Sequence, residues 1–105
     1  MAQFTVYRNR NPSTKAEYPL LLDIQADLLD ELATRVVIPL TRAAGLVRRP
    51  IRNLMPIVTV DGEEYVAVTQ DLAGTERSSL GPRVVSVAGQ RDAIVAALDF
   101  LIAGV

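Results

Sequence analysis

Cysteine, histidine and tryptophan are absent from this 105-residue chain, and Lys15 is its only lysine. Without cysteine there is no disulfide scaffold, no cysteine-based zinc site and no thiol nucleophile. Without histidine the commonest general base and the usual metal ligand are missing. Ser78, Ser79 and Ser86 therefore have no histidine to activate them. No Gly-x-x-x-x-Gly-Lys phosphate loop occurs, and a lone lysine in a loop argues against Schiff-base chemistry. Eleven Lys and Arg oppose twelve Asp and Glu, a net charge of −1, which gives no support to a whole-surface nucleic-acid binder. Long apolar runs are also lacking. The stretch Ala93–Val105 is interrupted by Asp99 and is too short for a bilayer, which needs about 20 residues. The opening Met-Ala-Gln-Phe-Thr-Val-Tyr-Arg does not read as a signal peptide, and none is expected. The expected location is cytoplasmic, and the expected mode of action is surface contact rather than catalysis.

Half of the chain is hydrophobic, and with balanced charge this favours a folded globule, here read as one domain over residues 1–105. Gln3–Arg8 alternates, predicting a half-buried strand with Phe4 and Val6 inward. Asn9–Pro19 reads as an exposed loop. Tyr18–Gln25 carries Leu20, Leu21, Leu22 and Ile24 and predicts a strand partly buried on both faces. Ala26–Thr34 is a helical turn or a crossing loop. Arg35–Leu40 is a β-branched strand, with Pro39 expected at a strand end, an edge or a bulge because it has no N–H. Thr41–Asn53 is a basic connector. Leu54–Val60, interrupted by Pro56, and Glu64–Gln70 flank Asp61-Gly62, the clearest hairpin signal in the chain. Asp71–Pro82 reads as loop, Val84–Val87 as a short strand and Ala88–Ala103 as a helix stopped by Gly104. The fold class is thus mainly β, with antiparallel strands and a C-terminal α-helix.

That helix is too apolar for one buried face. Ile94, Leu98, Leu101 and Val105 form a stripe that packs on the sheet, with Val95, Ile102 and Ala103 to its sides, yet Ala96 and Phe100 point elsewhere. A second apolar side favours a partner or a second copy, the alternative being a plain buried core helix. Asp99 is an acid in the last turn, where it opposes the helix dipole.

Two charge clusters stand out. Arg42, Arg48, Arg49 and Arg52 suit either a solvated loop or a patch for phosphate or an acidic peptide. No aromatic is interleaved to stack on bases. Asp23, Asp27, Asp30 and Glu31 read as solvated or capping residues rather than a metal site, since no ligand loop surrounds them.

Taken in order, Gln3-Phe4-x-Val6-Tyr7, Asp23-Ile24-Gln25-Ala26-Asp27-Leu28-Leu29-Asp30, Arg35-Val36-Val37-Ile38-Pro39-Leu40, Leu54-x-Pro56-Ile57-Val58, Gly62-Glu63, Thr69-x-Asp71-x-Ala73, Leu80-Gly81 and the ending Gly104-Val105 resemble the CcdB family over essentially the whole chain. These are toxins of bacterial toxin–antitoxin modules. The resemblance implies an SH3-like barrel acting as a homodimer and needing no cofactor or metal. It implies a poison that binds the A subunit of DNA gyrase and traps its DNA-cleavage complex. It also implies a cognate antitoxin whose disordered tail wraps the toxin, with no direct nucleic-acid contact by the toxin and no membrane. Carried over by position, the gyrase surface comprises Leu28, Leu29, Asp99, Ile102, Ala103, Gly104 and Val105. Antitoxin contacts fall on the Asn9–Tyr18 and Gly45–Arg52 loops, at Arg10, Tyr18, Arg48 and Arg49.

At three of these positions the chain departs from the family pattern, which has Trp at Ala103, Phe at Ile102 and Asn at Asp99. Alanine supplies neither the area of an indole nor a cation–π contact, worth roughly 0.5–2 kcal/mol. Two other readings stay open. One is a toxin-fold homologue with a weakened or altered target that still binds antitoxin. The other is an endoribonuclease toxin, in which Arg with Thr or Asp would do the chemistry.

Overall fold

The computed structural model describes residues 2–104. Seven strands precede one helix: β1 Thr5–Asn9, β2 Leu20–Asp23, β3 Thr34–Arg42, β4 Ile57–Val60, β5 Glu63–Ala67, β6 Ala73–Glu76, β7 Leu80–Ser86 and α1 Arg91–Ala103. All pairings are antiparallel, in the order β4-β5-β3-β2-β1-β7, with β6 also on β3. The sheet curls into a half-barrel, and the helix follows at its C-terminal end.

Strand alternation splits the interior in two. Val6, Leu20, Leu22, Ile38, Leu40, Val58 and Tyr65 form the larger core together with Ile94 of α1. Tyr7, Leu21, Val37 and Leu80 form a smaller cluster on the other face. β1 is therefore buried on both faces rather than one. Phe4 is buried as expected but precedes the strand, with a left-handed φ of 62°. β2 is buried along its whole length, more completely than the partial burial its leucine run predicts.

The Asp61-Gly62 turn forms as expected. Both residues have positive φ, 49° and 81°, the geometry of a two-residue turn that matches strand twist. It sets Val60 opposite Glu63 and Ile57 opposite Val66.

Pro39 is neither at a strand end nor at a bulge. It lies inside β3, paired with Leu21 of β2. Its carbonyl accepts from Val68 N–H at 3.0 Å, so its missing N–H faces that same side. There β3 changes neighbour, from β6 at Val37 to β5 at Leu40. The proline sits where the ladder is already interrupted.

The segment 71–82 is not simply loop. It holds β6 and the start of β7. Ala-Gly-Thr-Glu has no apolar alternation, and its extended form follows from pairing with Thr34–Val37. β7 runs through Gly81 and Pro82. An edge strand tolerates the proline, and a Cβ at Gly81 would stand 2.8 Å from the Arg8 carbonyl oxygen.

α1 follows a 3-10 turn at Ala88–Gln90 and ends at Gly104, whose φ of 73° and N–H bond to the Phe100 carbonyl close the helix. Ile94 and Ala97 are its buried residues, with Val95 and Leu98 partly buried. The expected stripe therefore fails at Leu101, which is exposed, because the last turn extends past the sheet core. Among the described residues no helix is long and apolar enough to cross a membrane.

Candidate functional site

Two surfaces arise from these elements. The first is the crossing between β2 and β3, a 3-10 turn at Asp27–Leu29. It displays Leu28 at 93% exposure, with Leu29 and Leu32 half-exposed. The turn stands on a buried ion pair. Arg35 and Asp23 are both fully buried, and Arg35 Nε donates to Asp23 Oδ2 at 2.8 Å. The other Asp23 oxygen accepts from Gln25 N–H at 3.0 Å. Arg35 also donates to Asp30 Oδ1 at 3.1 Å and to the Gln25 carbonyl at 3.3 Å. The Gln25 side chain accepts from Val36 N–H and donates to the Leu29 carbonyl at 2.9 Å. From below, Arg77 donates to Asp30 Oδ1 at 2.7 Å, to the Asp30 carbonyl and to the Leu32 carbonyl. Gln3 N–H bonds Asp27 at 2.7 Å.

Removing two charges from water is costly unless their hydrogen-bonding capacity is filled. Here it is filled by groups of the crossing itself. The ion pair thus holds a loop whose apolar side chains point to solvent. Of the acidic block, Asp23 is core rather than solvated, and Asp30 bridges Arg35 and Arg77, while Asp27, which anchors Gln3, and Glu31 are exposed.

The end of α1 is the second exposed apolar feature. Ile102 is 84% exposed, and Asp99, Ala103 and Gly104 are exposed as well. Val105 lies outside the described residues. Asp99 lines a cavity of about 580 Å³ with Asn53, Pro56, Ala93, Ala96 and Phe100. Leu28 and Leu29 are thus on one element and the α1 residues on another. No hydrogen bond or ion pair joins the two groups among the described residues.

Arg10, Tyr18, Arg48 and Arg49 fall along two adjoining troughs that share Tyr18. One, of about 820 Å³, has an apolar floor of Leu21, Val37 and Pro39 and a polar rim including Arg10, Thr14, Asp71 and Thr75. The other, of about 680 Å³, lies between Ala16–Pro19 and the connector, with Arg42, Arg48 and Arg49 on its wall. Arg52 lines neither, and the charge of Arg42 is met by Glu63 at 3.0 Å. Next to these arginines Val47 is 97% exposed. Tyr18 is fixed as the dividing wall because its hydroxyl donates to Asp71 Oδ2 at 3.0 Å. Burial first, and then the Asp71 carboxylate, pushes its pKa up to about 12. The loop before it is folded by Asn9, whose amide donates to Thr14 Oγ1 and to the Tyr18 carbonyl.

Sequence reasoning missed Arg35 and Asp71. Arg35 carried a signal: a cation opening a β-branched strand, in step with Val37 and Pro39, on the strand that follows an acid ending a leucine run. Asp71 was marked only by its place in Thr69-x-Asp71-x-Ala73, which says nothing of its pairing with Tyr18 across 53 positions.

Solved structures share this architecture. One is an endoribonuclease in complex with its cognate antitoxin from Mycobacterial species. It has a TM-score of 0.77 at 19% identity, over 97% of this chain and 94% of that one. Another is an endoribonuclease from Mycobacterial species, with a TM-score of 0.71 at 19% identity, over 97% and 90% of the two chains. At that identity the likeness is one of fold. The sequence itself is more specific: the CcdB protein family matches residues 3–104, and the chain belongs to that family.

Proposed function

We propose that this chain is the toxin of a toxin–antitoxin pair, acting by binding rather than by catalysis, as a homodimer whose target is the A subunit of DNA gyrase. CcdB family membership supports the toxin assignment. The observation that carries the binding mode is the crossing loop, where a fully buried ion pair holds Leu28, Leu29 and Leu32 out in water. Exposed apolar side chains on a rigid support lose little conformational freedom on docking. Leu28, Leu29, Asp99, Ile102, Ala103, Gly104 and Val105 are assigned to the target. Arg10, Tyr18, Arg48 and Arg49 are assigned to the antitoxin, and the arginine-walled trough suits an acidic segment of it. The deciding experiment is a gel assay for gyrase-dependent linear DNA. A cleavage complex that accumulates with the chain supports poisoning, and its absence at high toxin concentration refutes it. Ala103→Trp is expected to strengthen the effect by adding a stacking surface. Sedimentation is expected to give twice the chain mass, and a monomer at micromolar concentration contradicts the dimer.

One observation favours a second reading. The 820 Å³ trough places Arg10, Thr14, Thr75 and Asp71 around one cavity, and two fold neighbours are named endoribonucleases. Arg10 would stabilise phosphate charge, with Asp71 as the carboxylate. RNA cleaved without divalent metal, and left intact by Arg10→Ala, would put this reading first.

A further inference from the structure

The crossing between β2 and β3 has no buried residue over positions 26–34, so hydrogen bonds rather than packing give it a shape. Its first half is held by the chain around it, through the Gln25 side chain to the Leu29 carbonyl and Gln3 N–H to Asp27. The returning half, 30–33, is held by a residue far away in sequence. Arg77 Nε donates to the Leu32 carbonyl at 2.9 Å, and Nη2 donates to the Asp30 carbonyl and to Asp30 Oδ1. The backbone N–H of Arg77 donates to the Ala33 carbonyl at 3.1 Å. The sheet puts Arg77 there: β6 pairs with β3 through Thr34↔Glu76, and Arg77 is the next residue, set beside Ala33 by that ladder.

Two arginines thus share the Asp30 carboxylate, Arg35 at 3.1 Å and Arg77 at 2.7 Å, but in different surroundings. Arg35 is fully buried against Asp23, whereas the Arg77 side chain is 36% exposed. Loss of Arg35 strands a buried charge. Loss of Arg77 frees groups that water can reach, which costs folding little. What the Arg77 bonds do select is one path for the chain that carries Leu32 and closes the turn bearing Leu28 and Leu29. A guanidinium suits this task, because its planar fork donates in fixed directions, while an ammonium is a point charge on a flexible stem. We propose that Arg77 is a positioning residue for target binding: from outside the interface it fixes the returning half of the crossing loop, so that Leu28, Leu29 and Leu32 stand ready in one arrangement. This rests on the reading of Leu28 and Leu29 as target contacts. A loop already held in its docking shape loses less freedom on binding, so Arg77 acts on affinity through the leucines.

The test compares Arg77→Gln and Arg77→Lys with the parent in urea denaturation, in amide exchange of the ¹⁵N-labelled chain and in binding to the purified gyrase A subunit. Both variants are expected to keep the parent's urea midpoint. Asp30 and Leu32, whose N–H groups close the turn onto Asp27 and Leu29, are expected to exchange about tenfold faster. Binding is expected to weaken about fivefold, as if the competent arrangement were populated roughly one-fifth of the time. Beside Leu28→Ala, the same Arg77→Gln change is expected to weaken binding only about twofold, because its effect runs through that side chain. An Arg77→Gln chain that fails to fold, loop exchange equal to the parent's, or an undiminished effect beside Leu28→Ala overturns the positioning role, the last by marking a direct contact with the target. Arg77→Lys binding like the parent overturns it too, since charge alone would then suffice. A parent that binds the gyrase A subunit, with Arg77 variants that bind equally well, overturns this proposal alone. A parent that does not bind it overturns the target reading, and this proposal with it.

Discussion

The side-chain amide of Gln90 binds both backbone groups of Thr59, accepting from its N–H at 2.8 Å and donating to its carbonyl at 2.7 Å. Thr59 lies in β4, an outer strand of the sheet. Gln90 directly precedes α1, so its amide takes the place of a neighbouring strand and ties the helix start to the sheet edge. Gln90→Ala returns two exposed backbone groups to water. The expected cost is about 1 kcal/mol, measured by urea denaturation. The freed edge is also expected to raise concentration-dependent association in light scattering. Gln90→Glu can accept but not donate, and is expected to lie between the two.

Arg35→Met leaves the Asp23 carboxylate buried without its cation. Breaking one side of a buried pair typically costs about 3–5 kcal/mol, and a loss of that order is expected in chemical denaturation. Replacing both, as Arg35→Met with Asp23→Leu, is expected to recover much of the stability. It does not recover the bonds to Asp30 and Gln25, so amides of residues 25–33 are expected to exchange faster in the double variant than in the parent.

Leu28→Ala with Leu29→Ala separates binding from folding. Neither side chain is buried, so stability is expected to change by less than about 0.5 kcal/mol per substitution. Target binding is expected to fall sharply. Thermal denaturation beside the gyrase cleavage assay checks the pair. Lost stability with binding retained would contradict the assignment of this loop.

Tyr18 makes stability depend on alkaline pH. In the folded chain its proton is held up to about pH 12, against 10.0 for a free phenol, because burial and then the Asp71 carboxylate disfavour the anion. The raised value means the folded state keeps the proton longer than the unfolded state. The contribution is therefore complete below pH 10 and disappears as pH rises toward 12. Difference titration of tyrosinate absorbance between the parent and Tyr18→Phe is expected to show the late phenol. Asp71→Asn is expected to bring it partway down. A Tyr18 that titrates near pH 10 in the parent would contradict this.

Legibility in the sequence followed the range of the interactions. The Asp61-Gly62 hairpin and the Gly104 stop depend on backbone freedom within a few residues, and both formed where expected. The leucine run of β2 announced a strand partly buried on both faces, and its burial is complete. β6 had no such mark, because Ala73–Glu76 is extended only through its partner Thr34–Val37. The helix stripe was right at Ile94 and Leu98 and failed at Leu101, since periodicity shows which residues share a face but not where the sheet beneath them ends.

For the candidate sites, residue chemistry alone excluded thiol and histidine chemistry and favoured action by surface contact. It could not separate acids in water from acids in the core. Asp23 and Glu31 look alike in a charged run, yet one is fully buried and the other is exposed. The difference is the arrival of Arg35 across the ladder, 12 positions later. Local sequence determined turns, caps and alternation, because those are settled between near neighbours. Tertiary structure decided which charges are core, which strands lie at sheet edges and which leucines face water, because burial depends on what chain folding brings alongside.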